Sequence, residues 1–581
     1  MGKSENKGLT ILISLSATLL LVFALLYYRN ATKVEDAYIS SNENTALADW
    51  SVENSAINNI PLEEDKSIYS EKYNNELHDI YISVFPTKDE TGAMLDFSSF
   101  GKHVARDHTY NPVLNCNIQI LSEGENLDPL LNVDAKNATI RVRGNSSRGD
   151  EYKSYKIKIS DDGPSFEGQT VLNLNKHSED FGKVTTKFCT EILQDVDNMV
   201  SYRTNFVRLW IRDASLPKSQ QKFEYYGLFT HTEQPNKTYL EARGLSSNCV
   251  MYKARDFSFK MVDAIKNTDD PEYSEEAFEE VLGIREGSNH EKLIEMLEAV
   301  NDESRDFEEV FETYFNEDNY LTWLAFNLLV GGEDILNHNF ILYSPNNSKT
   351  WYFFTWDFDS NMQKESEYST ESLEGGQKLN QVVLHKRYLR IPGNLEKLKN
   401  KMLELKETYF TEENINNIIQ GYIPVLEKTM YLYPDIGLLR GDMTPPDLIN
   451  YVKSFSQIIE KKYNSFLKAF EYPAPMFVNI PTKNANGTLH ISWDNSYSYQ
   501  GRTIKYNVKI AKDCYMNNIV YEKNDIIENE VDTDIKLDKG VYYVKVTAKD
   551  KKGYEQLSLE HYEFAGERFI YENGVLEFNV E

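Results

Sequence analysis

The chain has 581 residues, with 91 Asp and Glu against 62 Lys and Arg, giving a formal charge of −29, and this excludes a nucleic-acid binder that depends on neutralising phosphates. At about 100–200 residues per domain, the length predicts roughly three to five structural units. Hydrophobic residues make up 41% and aromatics 13%, enough for large cores and unlike a disordered acidic chain. The four cysteines, Cys116, Cys189, Cys249 and Cys514, are too few for a disulfide framework and form no C-x-x-C pair for zinc. Four buried thiols are expected.

Residues 1–7 form a short polar tail. Gly8 to Tyr28 then run without a charge, which is long enough for a helix to span a hydrocarbon core and too long for an ordinary signal-peptide core. The segment ends on Tyr27, Tyr28 and Arg29, an interfacial pattern, so it reads as an uncleaved single-pass membrane anchor. Lys3 and Lys7 on one side nearly balance Arg29 and Lys33 on the other. The usual outcome for one N-terminal anchor places the soluble part outside the cytoplasm. Residues 29–72 are polar and aperiodic, as in a flexible tether.

Strand patterns begin at His78–Pro86 and continue through Cys116–Leu121, the pair around Ala138–Ile159, Tyr202–Arg212 and Phe223–His231, with a helical run at Phe181–Val196. After about Ser274 helical spacing takes over at 290–300 and 307–330. A strand–turn–strand follows at 340–356, and three helices occupy 394–470. Strands first and helices afterwards describe a two-lobed α+β domain over 73–471. Residues 472–566 read as short alternating strands of a small β-sandwich. In 567–581, Asn573-Gly574 marks the turn of a terminal hairpin.

Chemistry concentrates after the apolar helix, in Gly331-Gly332-Glu333-Asp334-Ile335-Leu336-Asn337-His338-Asn339 and Asp357-Phe358-Asp359. Asp334 and Asn339 stand five apart, and the intervening hairpin returns Asp357 to their end. All are oxygen ligands suited to Mg²⁺ or Mn²⁺. The protein-kinase catalytic loop has this arithmetic: Asp-x-x-x-x-Asn, a strand pair, then a metal-binding Asp. Asp and Asn beside glycines are equally ordinary turn residues. Arg141 to Lys158 make a basic strand–turn–strand in an acidic protein, with Lys156 and Lys158 on one face. Such a strand fits either a phosphate-facing wall or a solvated edge with charged gatekeepers. Tyr252-Lys253 and the helix face Trp323–Asn327 read as packing, with Asn327 satisfying a neighbouring loop.

The segments RVRGNSSR…KSYKIKI, LNLNKHSEDFGKVTTKF, YYGLFTHTEQPNKTYLEARG, NYLTWLAFNLLVGGEDILNHNFILY and FFTWDFDSN resemble, in that order, the CotH kinase family of spore-coat-protein-H-like atypical protein kinases. The resemblance covers about residues 77–470. It implies a remodelled two-lobed kinase fold using ATP and Mg²⁺ or Mn²⁺ to phosphorylate Ser or Thr of surface or spore-coat-type proteins. It implies Asp334 as the catalytic Asp, and Asn339 and Asp357 as metal ligands with Asp359 in support. Lys156 is the implied phosphate lysine and Lys158 its alternate. The resemblance also implies Glu233 as an acidic partner of that lysine or of a metal, and Arg143, Ser146, Ser147 and Arg148 as a turn near the phosphates. Trp493, Tyr506 and Tyr542-Tyr543 in the C-terminal part resemble a fibronectin type III module. An acidic surface favours basic protein substrates. The alternative reading is a non-catalytic surface or coat-assembly scaffold on a degenerate kinase fold, and paired-carboxylate hydrolysis by Asp357 and Asp359 ranks last.

Overall fold

The computed structural model describes residues 60–69, 75–101, 110–127, 133–144, 146–161, 163–332, 336–363, 370–565 and 569–581. Seven strands, β1 (Leu77–Val84), β2 (Leu114–Leu121), β3 (Ala138–Arg143), β4 (Ser154–Ile159), β5 (Val171–Asn175), β6 (Thr204–Asp213) and β7 (Glu224–Thr232), close into a barrel in the order β1-β2-β3-β4-β5-β7-β6. The ring closes through a parallel pairing of β1 with β6. Alternate residues such as Ile80, Ile118, Ile140, Tyr155, Ile157, Leu172 and Leu209 fill its interior. Their neighbours Arg141, Arg143, Lys156 and Lys158 therefore face outward, because successive strand side chains point to opposite faces. Strand β5 escapes a sequence reading because its pattern is half polar. Its Asn173 is buried and donates through Nδ2 to Thr232 O at 3.2 Å.

The second lobe is built on an antiparallel sheet of β8 (Cys249–Ala254), β9 (Leu282–Glu286), β10 (Phe340–Pro345) and β11 (Tyr352–Thr355), ordered β9-β8-β10-β11. Helices α1 (Thr185–Leu193), α2 (Glu291–Asn301), α3 (Phe307–Tyr314), α4 (Glu317–Val330), α5 (Asn394–Thr408), α6 (Glu412–Thr429), α7 (Pro445–Lys453) and α8 (Phe455–Ala469) supply most of the remaining core. The continuous helix expected over 307–330 is two helices. Phe315 bridges to Trp351 instead, and Asn316 recaps the chain by accepting from Asn319 N–H. Likewise 394–470 holds four α-helices rather than three, the last two divided at Ser454. Helix α4 is buried on nearly every side, as a central core helix requires, and ends at Gly331 with φ +75°.

Two boundaries read from sequence are corrected. The tether does not run to residue 72: Leu62, Glu64 and Tyr69 are buried, and Tyr352 OH donates to Ile60 O at 2.8 Å. The last residues do not fold back as a hairpin. Phe569–Asn573 pairs with His561–Ala565, whereas Val575–Val580 adds to the strand Gly540–Asp550. Burial of Val575, Phe578 and Val580 in the C-terminal core outweighs the local turn preference of Asn573-Gly574. That core lies between a three-stranded and a five-stranded antiparallel sheet and buries Trp493 against Tyr506. Arg502 ties the module to the helical lobe, donating to Glu471 Oε2 at 2.6 Å and Asp550 Oδ2 at 2.9 Å. All four cysteines are free and buried. No helix among the described residues is long and apolar enough to cross a membrane, and the expected anchor at 8–28 lies outside them.

A buried ion pair joins barrel to helices. Lys176, just past β5, donates to Asp435 Oδ1 at 2.7 Å and to the carbonyls of Tyr226 and Leu228. Asp435 also accepts from Leu228 N–H and Tyr225 OH. Gly227, with φ +100°, lies directly beneath: a Cβ there would lie on Lys176 Nζ and 2.8 Å from Asp435 Oδ2. Breaking a buried pair costs about 3–5 kcal/mol. Gly227→Ala should therefore lower the unfolding free energy by about that amount, read as a fall in the chemical-denaturation midpoint, and Asp435→Ala should match it.

Candidate functional site

The β10–β11 hairpin is the element that places the site. Phe340 pairs with Thr355, and beyond them Trp356 N–H donates to Asn339 O at 3.1 Å. Asn339 and Asp357 therefore emerge at one end of the hairpin. Both adopt left-handed backbone, φ +52° and +62°. Asn and Asp tolerate this region, yet non-glycine residues pay about 1 kcal/mol or more there. Two such residues side by side mark a place whose geometry is imposed by its surroundings. Those surroundings are explicit: Tyr202 OH donates to Thr355 O at 2.7 Å, its ring meets Trp356 edge-on, and Phe358 packs on Phe326 of α4.

The loop preceding β10 is held from both ends. Gly332 N–H donates to Asn327 O at 2.9 Å, and Phe257 N–H to Asn337 O at 2.8 Å. Asn327 thus restrains the loop through its backbone. Its side-chain Nδ2 donates instead to Trp323 O within α4. Asp334, expected as the catalytic acid, lies outside the described residues, as does the Ser146 side chain.

A cluster of cations lies beside these acids, Arg143 being the member that feels both Asp357 and Asp359. Arg141 and Lys156 are directly opposite each other on β3 and β4, a like-charge pairing that is unfavourable without an anion. Burial pushes the Lys156 ammonium down to about 8, with Arg141, Arg143, Arg285 and Lys158 adding to the depression. Its Nζ donates to Gln234 Oε1 at 3.0 Å. Burial also lowers Arg143 to about 10, against the charges of Asp357 and Asp359, leaving it charged at neutral pH. Lys158 is exposed two residues further along β4, so Lys156 is the lysine drawn into the cluster.

Two sequence-expected residues do other work. Glu233 does not pair with Lys156. Its Oε1 accepts from Arg203 at 2.6 Å and its Oε2 from Arg243 at 2.5 Å. Burial raises the Glu233 carboxyl, but Arg243 and Arg203 more than offset this and hold it below its ordinary range. Arg243 is itself sandwiched against Tyr239 and bonded to Glu64 at 2.9 Å. This network braces the back of the hairpin. Arg148 is buried and points to the 110–111 loop, reaching Tyr110 O and Asn111 Oδ1 at 3.4 Å each, so it is a strut of the turn rather than a phosphate ligand. In the same turn Gly144 has φ +100°, and the Ser147 side chain folds onto the place a Cβ would occupy. Only glycine fits there.

Sequence reasoning missed Lys253 and Arg285. Lys253, taken for packing, lies on β8 with its Nζ 5.6 Å from the centre of the Trp356 ring. Burial lowers it to about 8, opposed by Asp357 and reinforced by Arg285, Arg143 and Arg255. Tyr252 does pack, fully buried and bonded to His290 Nδ1 at 2.8 Å. Arg285 sits where β9 bulges against β8, between the Met251–Glu286 and Tyr252–Ile284 pairs, and bulges re-aim side chains in this way. No local sequence pattern announces either residue, since β9 is a five-residue strand after a helix.

A family model for CotH kinase protein matches residues 140–456. That span is more than half of the chain and contains the hairpin, the cation cluster and the lobe-joining pair. The chain belongs to the CotH kinase protein family. No curated protein matches it.

The donor set suits Mg²⁺ or Mn²⁺. Asn339, Asp357 and Asp359 offer only oxygen ligands, and no group of three His, Cys, Asp or Glu assembles among the described residues. A hard cation that keeps waters and leans on substrate phosphates needs no fuller cage.

The lysine positions predict a proton signature. A polyphosphate that keeps Lys156 and Lys253 charged should take up protons on binding at about pH 8–9 and none near pH 6. Calorimetry in buffers of differing ionisation enthalpy reads this directly. In the unliganded protein Lys156 is neutral in the fold and charged in the unfolded chain between about 8 and its ordinary 10.5. Stability should rise with pH across that window relative to Lys156→Met.

Proposed function

We propose that this CotH-family protein is a metal-dependent protein kinase transferring the γ-phosphoryl group of ATP to Ser or Thr hydroxyls. The observation that carries the reading is the joint placement of Asn339 and Asp357 at one hairpin end, with Asp357 acting on Arg143 of the barrel, whose own neighbour is Lys156. Family resemblance assigns Asp334 as the group that accepts the proton of the substrate hydroxyl. The hydroxyl oxygen forms the new bond to the γ-phosphorus, the bridging P–O bond breaks, and its electron pair stays on the ADP oxygen. Asn339, Asp357 and Asp359 would hold Mg²⁺ or Mn²⁺, which when bound neutralises charge on the phosphates. Lys156, Arg141 and Arg143 bind non-bridging oxygens and orient the chain of phosphates. Positioning and charge neutralisation supply the acceleration, since no covalent enzyme intermediate is needed.

The acidic balance of −29 favours basic, Ser-containing protein substrates through long-range attraction that salt weakens. The uncharged segment at 8–28 supports a membrane-anchored kinase with its catalytic part outside the cytoplasm. The C-terminal two-sheet module is read as a fibronectin type III-like contact domain. Surface or spore-coat-type proteins are the substrates the family suggests.

Saturating ATP with Mn²⁺ should raise the melting temperature; at a hundredfold excess over Kd the linkage is about 2.7 kcal/mol. Asp357→Ala should retain the fold yet lose metal-dependent phosphorylation of a Ser-rich test protein by about 10²-fold or more. Full activity in Asp357→Ala would remove the kinase assignment, and absence of any ATP–Mn²⁺ shift would favour a scaffold.

A further inference from the structure

We propose that Lys253 is a second phosphate-binding lysine, contributed by the opposite lobe from Lys156 and directed at the oxygens of the phosphoryl group being transferred. The proposal rests on the kinase reading for its reaction, and on geometry for its site. On β8, Tyr252 and Ala254 point into the helical core, so Lys253 projects from the other face together with Met251. Its cross-strand partner on β10 is Ile341, two residues after Asn339. The ammonium thus leaves the sheet beside the hairpin end and passes the Trp356 ring at 5.6 Å. The carboxylate whose charge it feels most strongly is Asp357.

What points to a ligand is the state of this cation. Among the described residues Lys253 makes no hydrogen bond or ion pair; its contact is the Trp356 ring. Around it stand Arg285, Arg143 and Arg255, of its own sign, against the carboxylate of Asp357. A half-buried ammonium among cationic neighbours gains from an anion that completes it. Lys156 differs, since its Nζ already has the Gln234 amide. Because an ammonium presents three donors from a compact charge, Lys253 suits a terminal phosphoryl group with three non-bridging oxygens. It remains protonated throughout, while the bond changes occur at phosphorus as written above. The two lysines then divide the task. Lys156 holds the body of the polyphosphate against the barrel, and Lys253 stabilises the transferring end.

The test compares Lys253→Met and Lys253→Arg with Lys156→Met and Asp357→Ala in the full chain. For Lys253→Met, kcat should fall about 10²–10³-fold with a much smaller change in KM for ATP, the pattern of a contact made chiefly in the transition state. Lys253→Arg should recover part of the loss. Lys156→Met should raise KM more than it lowers kcat. A second measurement needs no catalysis: inorganic tripolyphosphate without metal should raise the melting temperature of the natural protein and of Asp357→Ala, but not of Lys253→Met. If Lys253→Met keeps full kcat while Asp357→Ala is inactive, the role of Lys253 is overturned and the kinase reading stands. If the natural protein transfers no phosphoryl group but Lys253→Met abolishes the tripolyphosphate shift, the anion site stands and the kinase reading falls. An unchanged tripolyphosphate shift in both Lys253 variants overturns the site itself.

Discussion

The buried contact between Lys176 and Asp435 is the constraint on which the arrangement of this molecule depends. One partner leaves the barrel after β5 and the other comes from the segment after α6, 259 residues apart in sequence. Each side chain is nearly inaccessible to solvent, 2% and 4% exposed. The pair is satisfied on every side, by two barrel carbonyls, the Leu228 amide and the Tyr225 hydroxyl. Desolvating two charges brings little net stability compared with an apolar contact. What it does impose is position, because a misplaced lobe would leave both charges buried and unpaired. Lys176 follows directly on β5, the neighbour of β4, which carries Lys156. The pair therefore sets where the cationic face of the barrel stands relative to the helical lobe.

The second lobe delivers its side of the cleft through a different device. The hairpin β10–β11 is clamped from behind by aromatic rings and by a chain of charges running Glu64, Arg243, Glu233, Arg203. Arg243 is fully buried, stacked on Tyr239 with its guanidinium 3.8 Å from the ring centre. Tyr239 stacks on Tyr202, and Tyr202 supports Thr355 and Trp356. The acid after the seventh barrel strand is thus part of the scaffold that keeps Asp357 in its left-handed conformation. A residue can matter to a site without facing it, and Glu233 does so here.

Charge makes the cleft an exception within the chain. The protein is strongly acidic, yet Arg141, Arg143, Lys156, Lys253 and Arg285 lie close enough to act on one another, with Asp357 and Asp359 reaching Arg143 and Asp357 reaching Lys253. Cations gathered in a partly desolvated groove repel one another and lose hydration. The fold sustains that cost, and a polyphosphate with a divalent cation is the chemistry that relieves it.

The sequence alone determined the alternation that builds the barrel strands, the Gly-Gly break that ends α4, and the hairpin that returns Asp357 to Asn339. These are local matters: strand period, a Gly-Gly break and a strand–turn–strand of known length decide them. It also marked Lys156 and Arg143, because a basic run in an acidic chain is visible without coordinates. Tertiary structure alone decided that β1 closes on β6, that Glu233 and Arg148 turn away from the cleft, and that Lys253 and Arg285 turn toward it. It also decided that Val575–Val580 joins a sheet instead of forming a hairpin. The physical reason is common to all four. A side chain's partners across a lobe boundary, or across a sheet edge, are chosen by burial and charge compensation between distant segments, and no window of neighbouring residues contains that information.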